Sequence, residues 1–229
     1  MRYLITGINS GLGKFLYNNI PNSVGLHRDN FDDVEDETFD VIIHCAFNKE
    51  LKITDLDRYL DDNIFLTSRL KKINHKKFVY ISTVDIYNPD KNVYSCCKQI
   101  VESILEPDDL ILRCSMLVGD TMKDNHITKI KDSVDKIGLS KDSKFNYILM
   151  DDLLNFCLEE DVFNLVGVVD FVSENDVSLS ELKEHFNSTT ELGDYTYEIC
   201  DGYINPIYLI NNKYRHSSMD NIKKYYKNG

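Results

Sequence analysis

The 229-residue chain predicts a doubly wound α/β fold, a parallel sheet with helices on both faces. Three observations carry that prediction. Short apolar runs alternate with helical stretches as far as Cys114, a glycine-rich turn follows the first run directly, and Phe39–Cys45 is too continuously apolar for a strand with one wet face.

Residues 2–6 form the first predicted strand, and Gly7-Ile8-Asn9-Ser10-Gly11-Leu12-Gly13 leads from it into a helical stretch over Lys14–Asn19. Ser23–His27 reads as the second strand and Phe39–Cys45 as the third. Between them lies an acidic connection from Arg28 to Asp40, long enough for one helix but not for another strand. Its seven carboxylates read as a solvated helix face, with metal binding as the alternative. A helix over Leu56–Ile73, a strand at Phe78–Ser82, a helix at Ser95–Leu105 and a strand at Leu110–Cys114 follow.

Beyond Gly119 the pattern loosens into a polar stretch, Lys123–Lys144, read as a loop. Tyr147–Leu158 then reads as a strand running into a helix, Asn164–Val172 and Ile207–Ile210 as strands, and Ser178–Phe186 as a serine-capped helix. The expected division is a sheet domain over residues 1–120 and a small C-terminal substrate lobe over 121–229, with elements returning to the sheet.

The net charge of −12, from 26 Lys plus Arg against 38 Asp plus Glu, repels a phosphate backbone and argues against nucleic-acid partners. No apolar run reaches the roughly 18 to 20 residues of a membrane span. The N-terminal residues turn polar too soon for a signal peptide, so the expected location is cytoplasmic with no membrane partner. Six cysteines without a CxxC pair read as free, mostly buried thiols, and no metal site is expected.

Two clusters carry chemistry. A glycine-rich turn leaves backbone N–H groups open at a helix N-terminus, where the helix dipole holds a pyrophosphate, and Gly7, Gly11 and Gly13 meet that need. A tight strand-to-helix turn would also want glycine. At the end of the second strand, Arg28 favours the 2′-phosphate of NADP, with NAD as the alternative. The second cluster is Tyr94 and Lys98, one helical turn apart and therefore on one face. A tyrosine needs a nearby cation to exchange protons near neutrality, and a lysine at that spacing supplies one. About ten residues upstream, the strand at Tyr80–Thr83 ends in hydroxyls.

Taken in order, Thr6-Gly7-x-x-x-Gly11-x-Gly13, Ile43-His44-Cys45-Ala46, Ile81-Ser82-Thr83-x-x-Ile86-Tyr87, Tyr94-x-x-x-Lys98 and Leu112-Arg113-Cys114-Ser115-x-Leu117-Val118-Gly119 resemble the short-chain dehydrogenase/reductase superfamily. They most resemble its extended branch, the NAD(P)-dependent nucleotide-sugar epimerases, dehydratases and 4-keto reductases, over about residues 1–155. The resemblance implies a Rossmann-like fold and a nucleotide-sugar substrate. It also implies roles: Tyr94 as the acid/base, Lys98 lowering its pKa and binding the nicotinamide ribose, and Thr83 holding the substrate oxygen. Gly7, Asn9, Ser10, Gly11, Leu12, Gly13, Arg28, Cys45, Ala46, Tyr94, Lys98 and Cys114 would contact the dinucleotide, with Ser115 beside Cys114. Asn63 falls where the family keeps a helical asparagine, and the helices bearing Asn63 and Tyr94 are those through which the family forms homodimers.

Departures narrow the implication. The glycine spacing is that of the shorter, single-domain branch. Val84 stands where 4,6-dehydratases place an acidic proton donor, which disfavours dehydration although Asp85 remains. Epimerase or 4-keto reductase is therefore the implied activity, with a small-carbonyl reductase or a non-catalytic dinucleotide-binding regulator as alternatives. His44 reads as a satisfied core histidine, and His126, His185 and His216 as surface residues. Tyr195, Tyr197, Tyr203, Tyr208 and Tyr214 read mainly as packing, with stacking on a base or sugar as the other use.

Overall fold

The structure, a computed structural model, describes residues 1–48, 55–199 and 202–228. Its first half alternates strand and helix: β1 (Tyr3–Thr6), α1 (Gly11–Asn19), β2 (Ser23–Leu26), β3 (Thr38–His44), α2 (Leu56–Leu60), α3 (Leu66–Leu70), β4 (Asn74–Thr83), α4 (Val93–Ile104) and β5 (Leu110–Cys114). A π-turn over Asp61–Phe65 joins α2 to α3, so the predicted helix is one run with an extra residue wound into it. The second half is made of shorter pieces: β6 (Met116–Val118), α5 (His126–Lys131), β7 (Lys136–Leu139), β8 (Lys144–Phe145), β9 (Tyr147–Leu149) and α6 (Met150–Leu158). After α7 (Asp161–Asn164) and β10 (Gly167–Phe171) come β11 (Val177–Ser178), α8 (Leu179–His185), β12 (Glu191–Tyr195), α9 (Ile207–Ile210) and α10 (Ser218–Asn228).

Six strands form one parallel sheet in the order β10-β5-β4-β3-β1-β2. From β1 the chain adds β2 on one side, then crosses to place β3 on the other, so the strand order reverses between β1 and β3. That reversal opens a crevice beyond the carboxyl ends of the two strands, where doubly wound sheets bind ligands. Leu4, Ile5, Val41, Ile42 and Ile43 are all fully buried, the signature of parallel strands covered on both faces. One face packs on α1 and α6 through Leu16, Leu153 and Phe156, and the other on α3 and α4 through Leu70 and Val101. Among the described residues no helix is long and apolar enough to cross a membrane.

Four expectations are corrected. The acidic connection forms a 3-10 turn at Arg28–Asn30 followed by turns, not an α-helix, because Phe31 and Val34 are the residues it buries and a turn suffices to seat both. Lys123–Lys144 is not a loop. It holds α5, capped by Asn125 and packed through Ile127 and Ile130, and then β7, which pairs with β12. Ile207–Ile210 is a helical turn: Pro206 makes one bridge to Asp170 of β10, and the chain then winds, with Leu209 N donating to Pro206 O at 3.0 Å. His126 is buried, and His185 and His216 are partly buried. α5 turns the His126 ring inward onto Phe145, with centroids 4.0 Å apart, and its Nε2 lies 2.7 Å from the Tyr147 hydroxyl.

Candidate active site

β1 ends at Thr6, whose hydroxyl oxygen accepts from the backbone N–H of Cys45 at 3.0 Å and of Ala46 at 2.9 Å. It also pairs with His44 Nδ1 at 2.8 Å, while His44 Nε2 meets Thr67 Oγ1 at 3.1 Å. These bonds lock the ends of β1 and β3 together at the reversal. Burial holds His44 neutral, with its pKa pushed down to about 3, so it is the satisfied core histidine that the sequence suggests.

The glycine turn sits directly above this lock. Gly7 has φ +75°, and a Cβ there would lie 2.9 Å from Ala46 N. A Cβ on Gly13 would lie 2.4 Å from Gly7 O, so only glycine lets α1 start against the end of β1. Ser10, at the N-cap of α1, makes no side-chain cap, which leaves the first-turn N–H groups open. Asn63, buried in the π-turn, exchanges two bonds with the Asn48 backbone: its Oδ1 accepts from Asn48 N at 2.6 Å and its Nδ2 donates to Asn48 O at 3.1 Å. It thereby fixes the segment that follows β3.

Two clefts flank the turn. One, of about 550 Å³, is lined by Gly7, Ser10, Gly11, Leu12, Gly13 and Cys45 on one side, and by Thr83, Tyr94, Lys98, Cys114 and Ser115 on the other. The second, of about 840 Å³, shares Gly7 and Ser10 and adds Asn9, Ala46, Leu26, His27 and Asp29, with Arg69 resting 3.8 Å above the Phe31 ring. The structure thus gathers every site residue named from the sequence around one turn except Arg28, whose side chain lies outside what is described. Ser115 Oγ is buried in the first cleft without a hydrogen-bond partner among the described residues, a polar atom that a bound amide would satisfy.

Asn92 caps α4 by accepting from Ser95 N, which places Tyr94 in the first turn and Lys98 one turn on. Lys98 is buried, and its Nζ donates to Ile81 O at 2.6 Å. The Tyr94 and Thr83 hydroxyls are hydrogen-bonded. In this structure the Tyr94 pKa is raised: burial raises it most, the Asp85 carboxylate raises it further, and the Thr83 hydrogen bond pulls it down. Tyr94 is therefore protonated at neutral pH.

The sequence reading left several residues of the first cleft without a role. Phe47 meets Tyr94 edge-to-face with centroids 4.9 Å apart. Phe145, Asn146, Asp176, Tyr197 and Tyr203 form the far wall with Asp85. Phe145 stacks on Tyr197 with centroids 4.5 Å apart, which makes that tyrosine part of the cleft and not of the core. Beneath this wall a polar chain ties the sheet together. Arg113 pairs with Glu102 and donates to the Tyr87 hydroxyl, and Tyr87 donates to the buried Asp170 at 2.8 Å. Asp170 in turn accepts from the N–H groups of Ile204 and Asn205, anchoring the segment that carries Tyr203.

This architecture is the Rossmann-like α/β fold with its crevice at the strand reversal. Solved structures share it along nearly the whole chain. The dTDP-4-dehydrorhamnose reductase of Bacillus anthracis, solved with NADP, superposes with a TM-score of 0.75 at 16% identity, covering 100% of this chain and 99% of that one. The ADP-L-glycero-D-manno-heptose-6-epimerase of Helicobacter pylori gives 0.73 at 15%, covering 99% and 95%. The UDP-glucuronic acid 4-epimerase of Bacillus cereus, with UDP-glucuronic acid and NAD, gives 0.73 at 17%, covering 99% and 98%. No protein-family model matches the sequence, and no curated protein does.

Proposed function

We propose that the chain is an NAD(P)-dependent epimerase or 4-keto reductase of a nucleotide sugar. The observation that carries this reading is the convergence of Thr83, Tyr94 and Lys98 on the cleft that the glycine turn opens. A nicotinamide dinucleotide fits the residues present: open N–H groups at the start of α1 for the diphosphate, side-chain-free Gly7 and Gly13 beneath it, and the unpartnered Ser115 hydroxyl for an amide. Asn9, Ser10, Gly11, Leu12, Cys45, Ala46 and Cys114 complete that surface, with Arg28 as the residue favouring NADP over NAD. Bound there, the dinucleotide supplies hydride acceptance and donation.

The protein supplies position and proton traffic. Thr83 holds the substrate oxygen beside Tyr94; Tyr94 in its protonated state delivers a proton to that oxygen, and the phenolate so formed recovers one from it when the step runs in reverse. Lys98 stiffens the floor through Ile81 O and would hold the nicotinamide ribose. In this reading residues 1–120 hold the dinucleotide, and 121–229 furnish the substrate wall. The free thiols of Cys45, Cys96, Cys97, Cys114 and Cys157 suit a cytoplasmic protein. Exposed Phe65, Val93, Ile100 and Ile104 on the helical runs bearing Asn63 and Tyr94 support a homodimer.

The test is calorimetric titration with NADPH and NADH, then with UDP-, dTDP- and GDP-sugars on the loaded protein. Dinucleotide binding plus a sugar nucleotide turned over only when Tyr94 is intact is the expected result. Absence of dinucleotide binding overturns the reading.

A further inference from the structure

Next to Tyr94 the cleft is lined by carboxylates held open by tyrosines. Asp85 follows Thr83 by two residues, its backbone N–H donating to Thr83 Oγ1 at 3.2 Å, and its charge is felt at Tyr94. Tyr197 donates to Asp85 Oδ1 at 2.5 Å. On the other side of Tyr197, Asp176 Oδ1 accepts from Tyr203 at 3.1 Å and from Asn146 Nδ2 at 3.0 Å. Tyr197 feels both carboxylates, and burial together with Asp85 keeps its phenol protonated as a donor. Both aspartates are partly buried, and in each the second oxygen, Oδ2, has no hydrogen-bond donor among the described residues.

Three cations also line the cleft, and among the described residues none of them forms an ion pair with Asp85 or Asp176. Lys98 is turned to Ile81 O. Lys144 is exposed and paired with Glu198 at 3.1 Å, and Lys123 is exposed beside Asp124. The wall itself, built from Asp85, Asp176, Tyr197 and Tyr203, offers the open carboxylate oxygens of Asp85 and Asp176 as acceptors.

We propose, building on the nucleotide-sugar reading, that Asp85 and Asp176 set substrate class: the sugar carries hydroxyl or ammonium donors at this wall and is not a uronic acid. A carboxylate oxygen accepts from a sugar hydroxyl or an ammonium, whereas a substrate carboxylate placed among these two would face like charge with reduced water screening. The tyrosines aim the carboxylates, since each phenol occupies one oxygen and leaves the other for the ligand. Discrimination thus arises as much from repelling the acid as from binding the neutral sugar.

The experiment is competition binding of UDP-glucose, UDP-glucosamine and UDP-glucuronic acid to the dinucleotide-loaded protein, in the wild type, in Asp85→Asn and in Asp85→Asn/Asp176→Asn. The expected result is binding of the neutral and amino sugars tighter than the uronate by roughly tenfold or more, with the gap closing in the double variant. Raising the salt should also narrow the gap in the wild type, a readout that needs no variant to fold. Equal or tighter binding of the uronate overturns the proposal, as does a gap that neither the substitutions nor salt alters. If the dinucleotide binds and no UDP-, dTDP- or GDP-hexose does, the nucleotide-sugar reading itself fails and this inference falls with it.

Discussion

The ammonium of Lys98 donates to the main-chain oxygen of Ile81 at 2.6 Å and lies 5.9 Å from the centroid of the Tyr94 ring. The ammonium is thus anchored to the strand floor beside the ring, and burial and the Asp85 carboxylate raise the pKa of Tyr94 while the Thr83 hydroxyl lowers it. This arrangement suits a group that starts the cycle as an acid.

Tyr94→Phe removes the hydroxyl and leaves the ring that packs against Phe47. Turnover should fall by about 100- to 10,000-fold, the usual worth of a positioned acid or base, while dinucleotide affinity stays within about threefold. Steady-state rates and calorimetry on the same preparation check this. Loss of dinucleotide binding equal to the loss of rate would remove Tyr94 from the proton path.

Asp85→Asn deletes the negative charge that helps hold the Tyr94 pKa up. With that charge gone the phenolate forms more readily, so the Tyr94 limb of the kcat–pH profile should move toward lower pH by about one unit. The sign is the same whether Tyr94 acts as acid or base, because the limb follows its pKa in either direction. A limb that stays in place, or moves to higher pH, would show that Asp85 does not act on Tyr94.

How much of this site was legible from the sequence depends on how local each signal is. Gly7, Gly11 and Gly13 declare themselves because a strand-turn-helix needs them within a few residues, and Tyr94 and Lys98 because a single helical turn brings them to one face. The far wall is different. Tyr197 and Asp85 are 112 positions apart and meet only because Phe145 stacks on the tyrosine and the chain from β12 returns over the cleft. His126 illustrates a missed local cue: Asn125 and Thr128 form a capping box ahead of Ile127 and Ile130, the pattern of a buried helix start, within a stretch whose lysines suggested a loop. The strand expected at Ile207–Ile210 failed for the opposite reason, since its apolar run fits either element and only Pro206, which cannot donate to β10, decides between them.

Gly13→Ala tests the close approach of α1 to β1. The new Cβ would stand 2.4 Å from Gly7 O and 2.5 Å from Thr6 O, both backbone atoms that cannot swing aside. The helix must shift, at a cost of about 1–3 kcal/mol. Thermal melts should show a drop of several degrees, and dinucleotide binding should weaken by more than the stability change alone accounts for, because the cradle itself is displaced. Gly11→Ala separates crowding from backbone strain, since a Cβ there meets nothing within 4 Å while its φ of +58° disfavours any L side chain. Equal loss of dinucleotide affinity in both variants would show that space between α1 and β1 is not what the glycines provide.

Acid should destabilise the fold through its buried histidines before the bulk of the carboxylates titrate. Burial pushes the pKa of His44 down to about 3 and that of His126 to about 4, both below the value of 6.5 expected when exposed. As pH falls below 6.5 the unfolded chain binds protons that the folded chain refuses, so stability is whole above that point and is lost progressively toward the folded-state values. At pH 5 the loss is about 2 kcal/mol per histidine. His44→Gln keeps a polar group between Thr6 and Thr67 but cannot titrate. It should lower stability at pH 7 while removing about half of the drop that the two histidines produce between pH 7 and pH 5. Urea midpoints at the two pH values decide the matter: an unchanged pH-dependent drop in His44→Gln would mean that His44 takes up its proton in the folded protein as readily as in the unfolded chain, and that burial between Thr6 and Thr67 does not hold it neutral.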